Sequence, residues 1–230
     1  MNAYIIVEGN RTETIVYPKW LEILAPAFKR VSSVSDILEN NYYLFSGGGI
    51  PSIYNHIANA SLDINDFNHN GGPKIDYLIV CIDTEEESRD YILEQIHNTL
   101  VQSGITALSF KLEVFEQKVS MESWFLGNRR IFKSNPQDQE LRRYVSHYNV
   151  RDNDPELMEN IDNDEFSTNA QFHHSYLKKI FSEQHIKYSK AKPAEVCKEH
   201  YLQRIIERYN ATQHIESFGR WYSFIMSNFA

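Results

Sequence analysis

Residues 4–9 have the sequence YIIVEG, and residues 77–85 have the sequence YLIVCIDTE. Each stretch begins as a short apolar, β-branched run without a helical period, which is typical of a strand covered on both faces. Each run then stops at carboxylates, Glu8 in the first and Asp83 and Glu85 in the second. Ligands of open α/β sheets bind beyond the carboxyl ends of the strands. If the two strands are neighbours, the three carboxylates gather in one crevice, where their repulsion favours a divalent metal that prefers oxygen ligands.

These two stretches resemble the signature of the Toprim fold, the metal-dependent domain of topoisomerases, primases and the nucleases of the OLD and RloB types. That signature is a strand ending in Glu-Gly and a later strand ending in Asp-x-Asp. Residues 8–13, EGNRTE, are close to the Glu-Gly-x-Thr-Glu of the nuclease branch. Residues 83–85, DTE, have Glu in place of the usual second Asp, which keeps the charge but moves it by one methylene.

Two further blocks carry the resemblance. Residues 121–126, MESWFL, resemble the Glu-Ala-Trp-Leu stretch of RloB-like proteins, and residues 188–190, YSK, resemble an element of their tail. The resemblance implies a metal-dependent nuclease that holds one or two Mg²⁺ or Mn²⁺ ions, which would activate water and stabilise the leaving oxygen. The metal ligands that it implies are Glu8, Glu13, Asp83, Glu85 and Glu122. It also implies that Lys190 or Lys192 balances phosphate charge in the transition state.

Simpler explanations stay open for several of these residues. Glu13 and Glu122 each fall in the first turn of an expected helix, where a carboxylate is favoured without any ligand. Lys190 and Lys192 have the pattern of ordinary solvated loop lysines. His173 is next to His174, so the two side chains face different directions on a helix and make a poor chelating pair.

The composition indicates a soluble globular protein. Of its 230 residues, 42% are hydrophobic and 13% aromatic,. No apolar run approaches the roughly 20 residues that cross a bilayer, so we expect no membrane partner. The N-terminus enters a strand at once, without a leader pattern, and the cysteines are only Cys81 and Cys197. We therefore expect a cytoplasmic protein.

The net charge of −8 is unevenly distributed. Residues 1–119 contain 16 acidic and 8 basic residues, and residues 152–165 contain seven acidic residues and no basic one. Residues 120–151 and 166–230 have net charges of +3 and +4. An acidic pocket beside a basic surface suits nucleic acid, either DNA or tRNA, although solvated charge on helices explains the basic tail almost equally well. The candidate nucleic-acid contacts are Arg129, Arg130, Lys190 and Lys192.

We expect an α/β fold with a Toprim-like, mainly parallel four-stranded sheet flanked by helices. Residues 1–127 would form this catalytic core, with strands near 4–7, 41–45, 77–83 and 107–115. Residues 128–230 would form a C-terminal helical extension, with helices near 137–148, 195–209 and 214–226. The acidic stretch 151–165 lacks apolar periodicity and predicts an exposed, mobile loop.

The glycines at 47–49 lack the Gly-Lys-Ser/Thr of a nucleotide-binding loop and predict a tight strand-to-helix turn. A backbone contact from this turn to a substrate phosphate stays open.

The function expected from these observations is hydrolysis of phosphodiester bonds by a Mg²⁺- or Mn²⁺-dependent endonuclease. In the resembling families such nucleases often act in anti-phage defence beside an ATPase partner, and the resemblance implies the same context here. One alternative is a non-catalytic, Toprim-like subunit that binds nucleic acid or regulates a partner. Another is phosphoryl transfer through an aspartyl phosphate at Asp83, although that mechanism gives no reason for Glu8 and Glu13.

Overall fold

The computed structural model describes residues 1–133, 135–161 and 165–230. Their contacts divide them into two units. The first unit contains Met1–Ile82, Glu87–Glu116 and Tyr222–Ala230, and the second contains Asp83–Glu86 and Gln117–Trp221. This division differs from the expected boundary at residue 127, because residues 117–127 belong to the second unit and the C-terminal residues 222–230 to the first.

The first unit is built on a five-stranded parallel sheet. Its strands are β1 (Ala3–Val7), β2 (Lys29–Val31), β3 (Asn41–Ser46), β4 (Tyr77–Asp83) and β5 (Lys111–Gln117). Their spatial order is β2-β3-β1-β4-β5, and β1 pairs in parallel with both β3 and β4. The expected α/β class is therefore confirmed, whereas the expected number of strands was four. The additional strand is β2, whose three partly exposed residues are too few to show a period in the sequence.

Strand β1 is buried along its whole length, and β4 is buried up to its last residue, Asp83. Both faces are covered, which explains why neither strand alternates apolar and polar residues. Helices α1 (Glu13–Leu24), α2 (Ser52–His69) and α3 (Arg89–Gln102) follow β1, β3 and β4 in the chain. One face of the sheet packs with the apolar stripes of α2 and α3, whose buried residues include Ile53, Ile57, Ile92 and Ile96.

The other face of the sheet receives the C-terminal residues of the chain. The ring of Phe224 lies 5.3 Å from that of Tyr77 on β4 and 5.0 Å from that of Phe115 on β5. Phe229 stacks on Phe28 at 4.2 Å. The chain's last residues thus belong to the sheet's hydrophobic core, although the sequence pattern had placed them in a separate extension.

The second unit is helical. Its helices are α4 (Met121–Phe125), α5 (Gln139–His147), α6 (Asn169–Glu183), α7 (Glu199–Thr212) and the beginning of α8 (Glu216–Asn228). The rings of Trp124 and Trp221 lie 6.1 Å apart in its core. The helices expected near 137–148, 195–209 and 214–226 are observed as α5, α7 and α8. Among the described residues, no helix is both long enough and apolar enough to span a bilayer.

The expectation of an exposed acidic loop was wrong at the centre of 151–161, whereas 151–153, 157 and 159 are exposed as expected. Pro155, Glu156 and Met158 are buried. The Glu156 carboxylate accepts hydrogen bonds from the backbone N–H of Ser217, at 3.2 Å, and from its hydroxyl group. The anchors of this segment are thus carboxylates that bind the first turn of α8, and a search for apolar periodicity cannot detect them. Residues 162–164 of the expected loop lie outside the described residues.

The buried Glu156 predicts a specific pH dependence of stability. Burial raises the pKa of Glu156 from 4.5 to about 7, against the opposing hydrogen bonds from Ser217. Since the pKa is higher in the folded state, the contribution of Glu156 to the free energy of unfolding should decline as the pH rises from about 4.5 to about 7. Glu156→Gln cannot ionise, so its stability relative to the wild type should increase across this window, by on the order of 3 kcal/mol at most.

Urea denaturation of both proteins at several pH values between about 4.5 and 8 measures this difference. Glu159→Gln, which changes an exposed glutamate of the same segment, is the matched control and should follow the wild type. A constant difference between Glu156→Gln and the wild type would show that Glu156 does not titrate in this range.

Candidate active site

In the first unit, Glu8 and Glu13 lie at the carboxyl edge of the sheet. Glu8 follows β1, and its backbone N–H donates to the carbonyl oxygen of Cys81 on β4 at 3.1 Å. Glu13 begins α1 and is only 5% exposed. A Cβ atom on Gly9 would lie 1.8 Å from Oε2 of Glu13. Gly9 therefore provides the space in which the Glu13 carboxylate lies against the turn that follows Glu8.

The glycine turn after β3 lies beside Glu8, also within the first unit. The N–H of Gly47 donates to the carbonyl oxygen of Val7 at 2.8 Å, and that of Gly49 donates to the carbonyl oxygen of Glu8 at 3.2 Å. Gly48 and Gly49 have φ values of 72° and 89°, which only glycine adopts without strain,. The tight turn expected at 47–49 is confirmed, and a contact from this turn to a substrate phosphate stays a prediction.

Asp83 is the last residue of β4, which pairs in parallel with β1 as the sequence interpretation requires. Two residues later, Glu85 has a φ of 48°. Three hydrogen bonds in the second unit hold this turn: Thr84 N–H to Gln117 O at 3.1 Å, Glu85 N–H to Val119 O at 2.9 Å and Val119 N–H to Thr84 Oγ1 at 2.8 Å. Val119 is itself left-handed, with a φ of 68°. Such conformations cost about 1–3 kcal/mol each in non-glycine residues and concentrate at functional sites.

Glu85 lines a cavity of about 730 Å³ in the second unit. Pockets that hold small molecules usually measure roughly 300–1,000 Å³. The cavity brings together two of the predicted site residues, Glu85 and Lys190. Its other lining residues are Phe166, Thr168, Ala170, Gln171, His174, Ser175, Lys178, Lys179 and Ser182.

Glu122 holds two of the lining side chains in place. Its Oε1 atom lies 3.0 Å from Nδ1 of His174, 3.2 Å from the hydroxyl group of Tyr188 and 3.8 Å from Nζ of Lys190. Burial alone would raise the pKa of Glu122, but the hydrogen bond from His174 and the charge of Lys190 outweigh it, so the pKa is lowered. Glu122 is therefore a buried, ionised carboxylate that accepts hydrogen bonds, and this explains its position without a metal ion.

The remaining predicted nucleic-acid contacts do not line this cavity. Arg129 and Arg130 belong to a short 3-10 helix, Arg129–Ile131, and line a second, smaller pocket together with Arg204 and Arg208. Lys192 is exposed, and its backbone N–H donates to the carbonyl oxygen of Ser189 at 2.9 Å. Contacts of these residues with nucleic acid stay predictions.

The predicted carboxylate ligands have oxygen donors that suit a divalent metal, but they do not form a preformed cage around one. Among residues 1–133, 135–161 and 165–230, no three His, Cys, Asp or Glu side chains are grouped so that they could hold a metal ion. Mg²⁺ is usually bound by only one or two carboxylates, together with water and substrate phosphate oxygens. The oxygen donors of Glu8 and Glu13 fit this mode of binding.

The sequence interpretation missed His174, Lys178 and Phe166 as lining residues. His174 had been considered only as a metal ligand beside His173, and the two rings do face different surroundings. His173 is buried between the Ser123 hydroxyl group, at 2.8 Å, and the Met158 carbonyl oxygen, at 2.7 Å. The missed signal was the spacing of polar residues along 171–182, which repeats every three or four positions and marks the solvent side of a helix.

Comparisons with known proteins give no relative of this chain. No family model, no curated protein and no solved structure matches it. The resemblance to Toprim nucleases therefore stays a prediction that rests on the quoted residue patterns.

Gly9→Ala tests the position of the Glu13 carboxylate. The new Cβ would overlap Oε2 of Glu13, so this flexible side chain must move while the fold is retained. We expect the variant to lose about 1 kcal/mol or less of stability. Addition of Mn²⁺ should raise its melting temperature much less than it raises that of the wild type. Gly72→Ala is the control, because its Cβ would meet only ordinary contacts with Phe67. An unchanged response of Gly9→Ala to Mn²⁺ would show that the Glu13 carboxylate is not a ligand.

Two substitutions of Glu85 separate its backbone strain from its charge. Glu85→Asn and Glu85→Gln both remove the carboxylate from the cavity, but asparagine tolerates a left-handed conformation better than glutamine. Chemical denaturation should therefore give Glu85→Asn a free energy of unfolding about 1 kcal/mol higher than that of Glu85→Gln. Equal values for the two variants would contradict strain at this residue.

Proposed function

We propose that the chain is a Mg²⁺- or Mn²⁺-dependent endonuclease that hydrolyses phosphodiester bonds in nucleic acid. The observation that supports this most directly is the cavity of the second unit, where the Glu85 carboxylate and the Lys190 ammonium group line the same concave surface. Carboxylate oxygens are the ligands of hard divalent metals, and lysine is a common partner of phosphate. The biological context that we propose, a toxic effector of phage defence with an ATPase partner, rests on the resemblance alone.

The proposed metal ligands are the carboxylates at or just beyond the ends of β1 and β4, namely Glu8, Glu13, Asp83 and Glu85. When bound, a divalent metal would supply Lewis acidity for activating water and stabilising the leaving oxygen. Lys190 would offset the negative charge of the phosphodiester as it is attacked. We assign Glu122 to the positioning of Lys190 and His174, since its Oε1 atom contacts both.

Glu8→Gln tests the proposed hydrolysis. The protein is first treated with a chelator, and cleavage of single-stranded RNA, single-stranded DNA and tRNA is then followed with added Mg²⁺ or Mn²⁺. The wild type should cleave at least one substrate, and Glu8→Gln should lose at least about 100-fold in rate, because even residues outside the first coordination shell contribute 10- to 100-fold. Mn²⁺ should also raise the melting temperature of the wild type more than that of the variant.

The matched control is Glu22→Gln, which changes a glutamate on the surface of α1 that is paired with Lys19 at 2.7 Å. It should cleave like the wild type. Failure of the wild type to cleave any of these substrates with either metal, together with retained binding of nucleic acid, would favour the non-catalytic alternative. A covalent phosphate on Asp83 would instead favour phosphoryl transfer.

A further inference from the structure

We infer that the cavity of the second unit binds one nucleotide of a single-stranded nucleic acid, with the phosphate at Lys178 and the base against Phe166. This inference rests on the proposed function for the substrate class. The cavity volume of about 730 Å³ accommodates a small molecule, whereas a duplex keeps its bases stacked and paired inside. A nucleotide can enter such a cavity only when its base is free.

The floor of the cavity is the polar face of α6. Its polar cavity-lining residues, separated alternately by three positions and by one, are Gln171, His174, Ser175, Lys178, Lys179 and Ser182. The opposite face of α6 is buried, with Phe172, Tyr176, Leu177 and Ile180 in the core. The apolar face therefore fixes the helix, and the polar face offers hydroxyl, amide and imidazole groups that can hydrogen-bond a base or a sugar.

The charged residues that line the cavity are one glutamate, Glu85, and three lysines, Lys178, Lys179 and Lys190. Lys179 is paired with Asp138, at 3.4 Å, and with Glu140. Lys190 lies 3.8 Å from the carboxylate of Glu122. Lys178 is exposed, and within the described part of the chain no carboxylate forms a salt bridge with it. Lys178 would therefore hold the phosphate in the ground state, and Lys190 is left for the charge that develops as the phosphodiester is attacked.

Phe166 supplies an aromatic surface at the wall of the cavity. Its ring lies 5.4 Å from that of Phe172 and 6.1 Å from that of Tyr144, so two other rings support it. Phe166 is only partly buried. Aromatic side chains bind unstacked bases of single strands by stacking, with little dependence on sequence.

Binding measurements in the presence of EDTA test this inference without cleavage. The probes are a fluorescein-labelled single-stranded RNA of about ten nucleotides, the duplex of the same sequence, adenosine 5′-monophosphate and inorganic phosphate. The wild type should bind the single strand at least about tenfold more tightly than the duplex, and adenosine 5′-monophosphate more tightly than inorganic phosphate.

Two variants distinguish the base from the phosphate. Phe166→Leu should weaken binding of the single strand and of adenosine 5′-monophosphate about tenfold, while binding of inorganic phosphate is unchanged. Lys178→Gln should weaken all three and reduce the salt dependence of single-strand binding by a slope of about 0.7. Lys187→Gln changes an exposed lysine of the same unit that does not line the cavity, so it should bind like the wild type.

Equal affinity for single strand and duplex would overturn the inference, as would binding of inorganic phosphate without a preference for the nucleotide. It is also overturned if Lys178→Gln, a surface change that should not affect folding, behaves like Lys187→Gln. The proposed hydrolysis is tested separately. Cleavage with Mn²⁺ that is unaffected by both cavity variants would overturn only this inference, and the expected binding without cleavage would overturn only the hydrolysis.

Discussion

Parallel backbone pairing of β1 with β4 is the constraint on which the first unit depends. Both strands are buried, so their N–H and C=O groups must be satisfied by neighbouring strands. The pairing continues one residue beyond β1, where Glu8 N–H binds Cys81 O. Since parallel strands end at the same edge of a sheet, this register determines where the polar residues after β1 begin. The turn at Gly9 and the buried carboxylate of Glu13 follow directly from that position.

Two buried glutamates in the second unit show how neighbouring groups decide the role of a carboxylate. Glu122 has a lowered pKa, because His174 and Lys190 outweigh the effect of its burial. Burial raises the pKa of Glu156 to about 7, and the hydrogen bonds from the uncharged Ser217 only partly offset this effect. The first therefore holds cationic or polar side chains at the wall of the cavity. The second anchors a segment to the start of α8. Ionisation of this buried Glu156 carboxylate destabilises the folded state.

The candidate site of the second unit combines a strained turn with a regular helix. Glu85 and Val119 are both left-handed, and one hydrogen bond, from Glu85 N–H to Val119 O, joins their backbones. Helix α6 needs no strain, because its buried face positions its polar face as a rigid surface. Backbone strain at Glu85 and a preorganised polar surface on α6 therefore occur at the same cavity.

The sequence by itself determined the two central strands, the α/β class, most helices and the position of Glu8 and Asp83 at the ends of their strands. These features depend on local periodicity and on the rule that polar residues end buried strands. Only the tertiary structure decided that the C-terminal rings complete the core of the sheet, that Glu156 anchors a segment without apolar period, and that His174, Lys178 and Phe166 line one cavity. The reason is physical: the rings of the C-terminus and Glu156 contact residues distant in the chain, and neither composition nor spacing specifies which distant groups will satisfy one another. The lining residues of the cavity are close in sequence, but the position of their helix beside Glu85 and Lys190 is again decided by distant contacts.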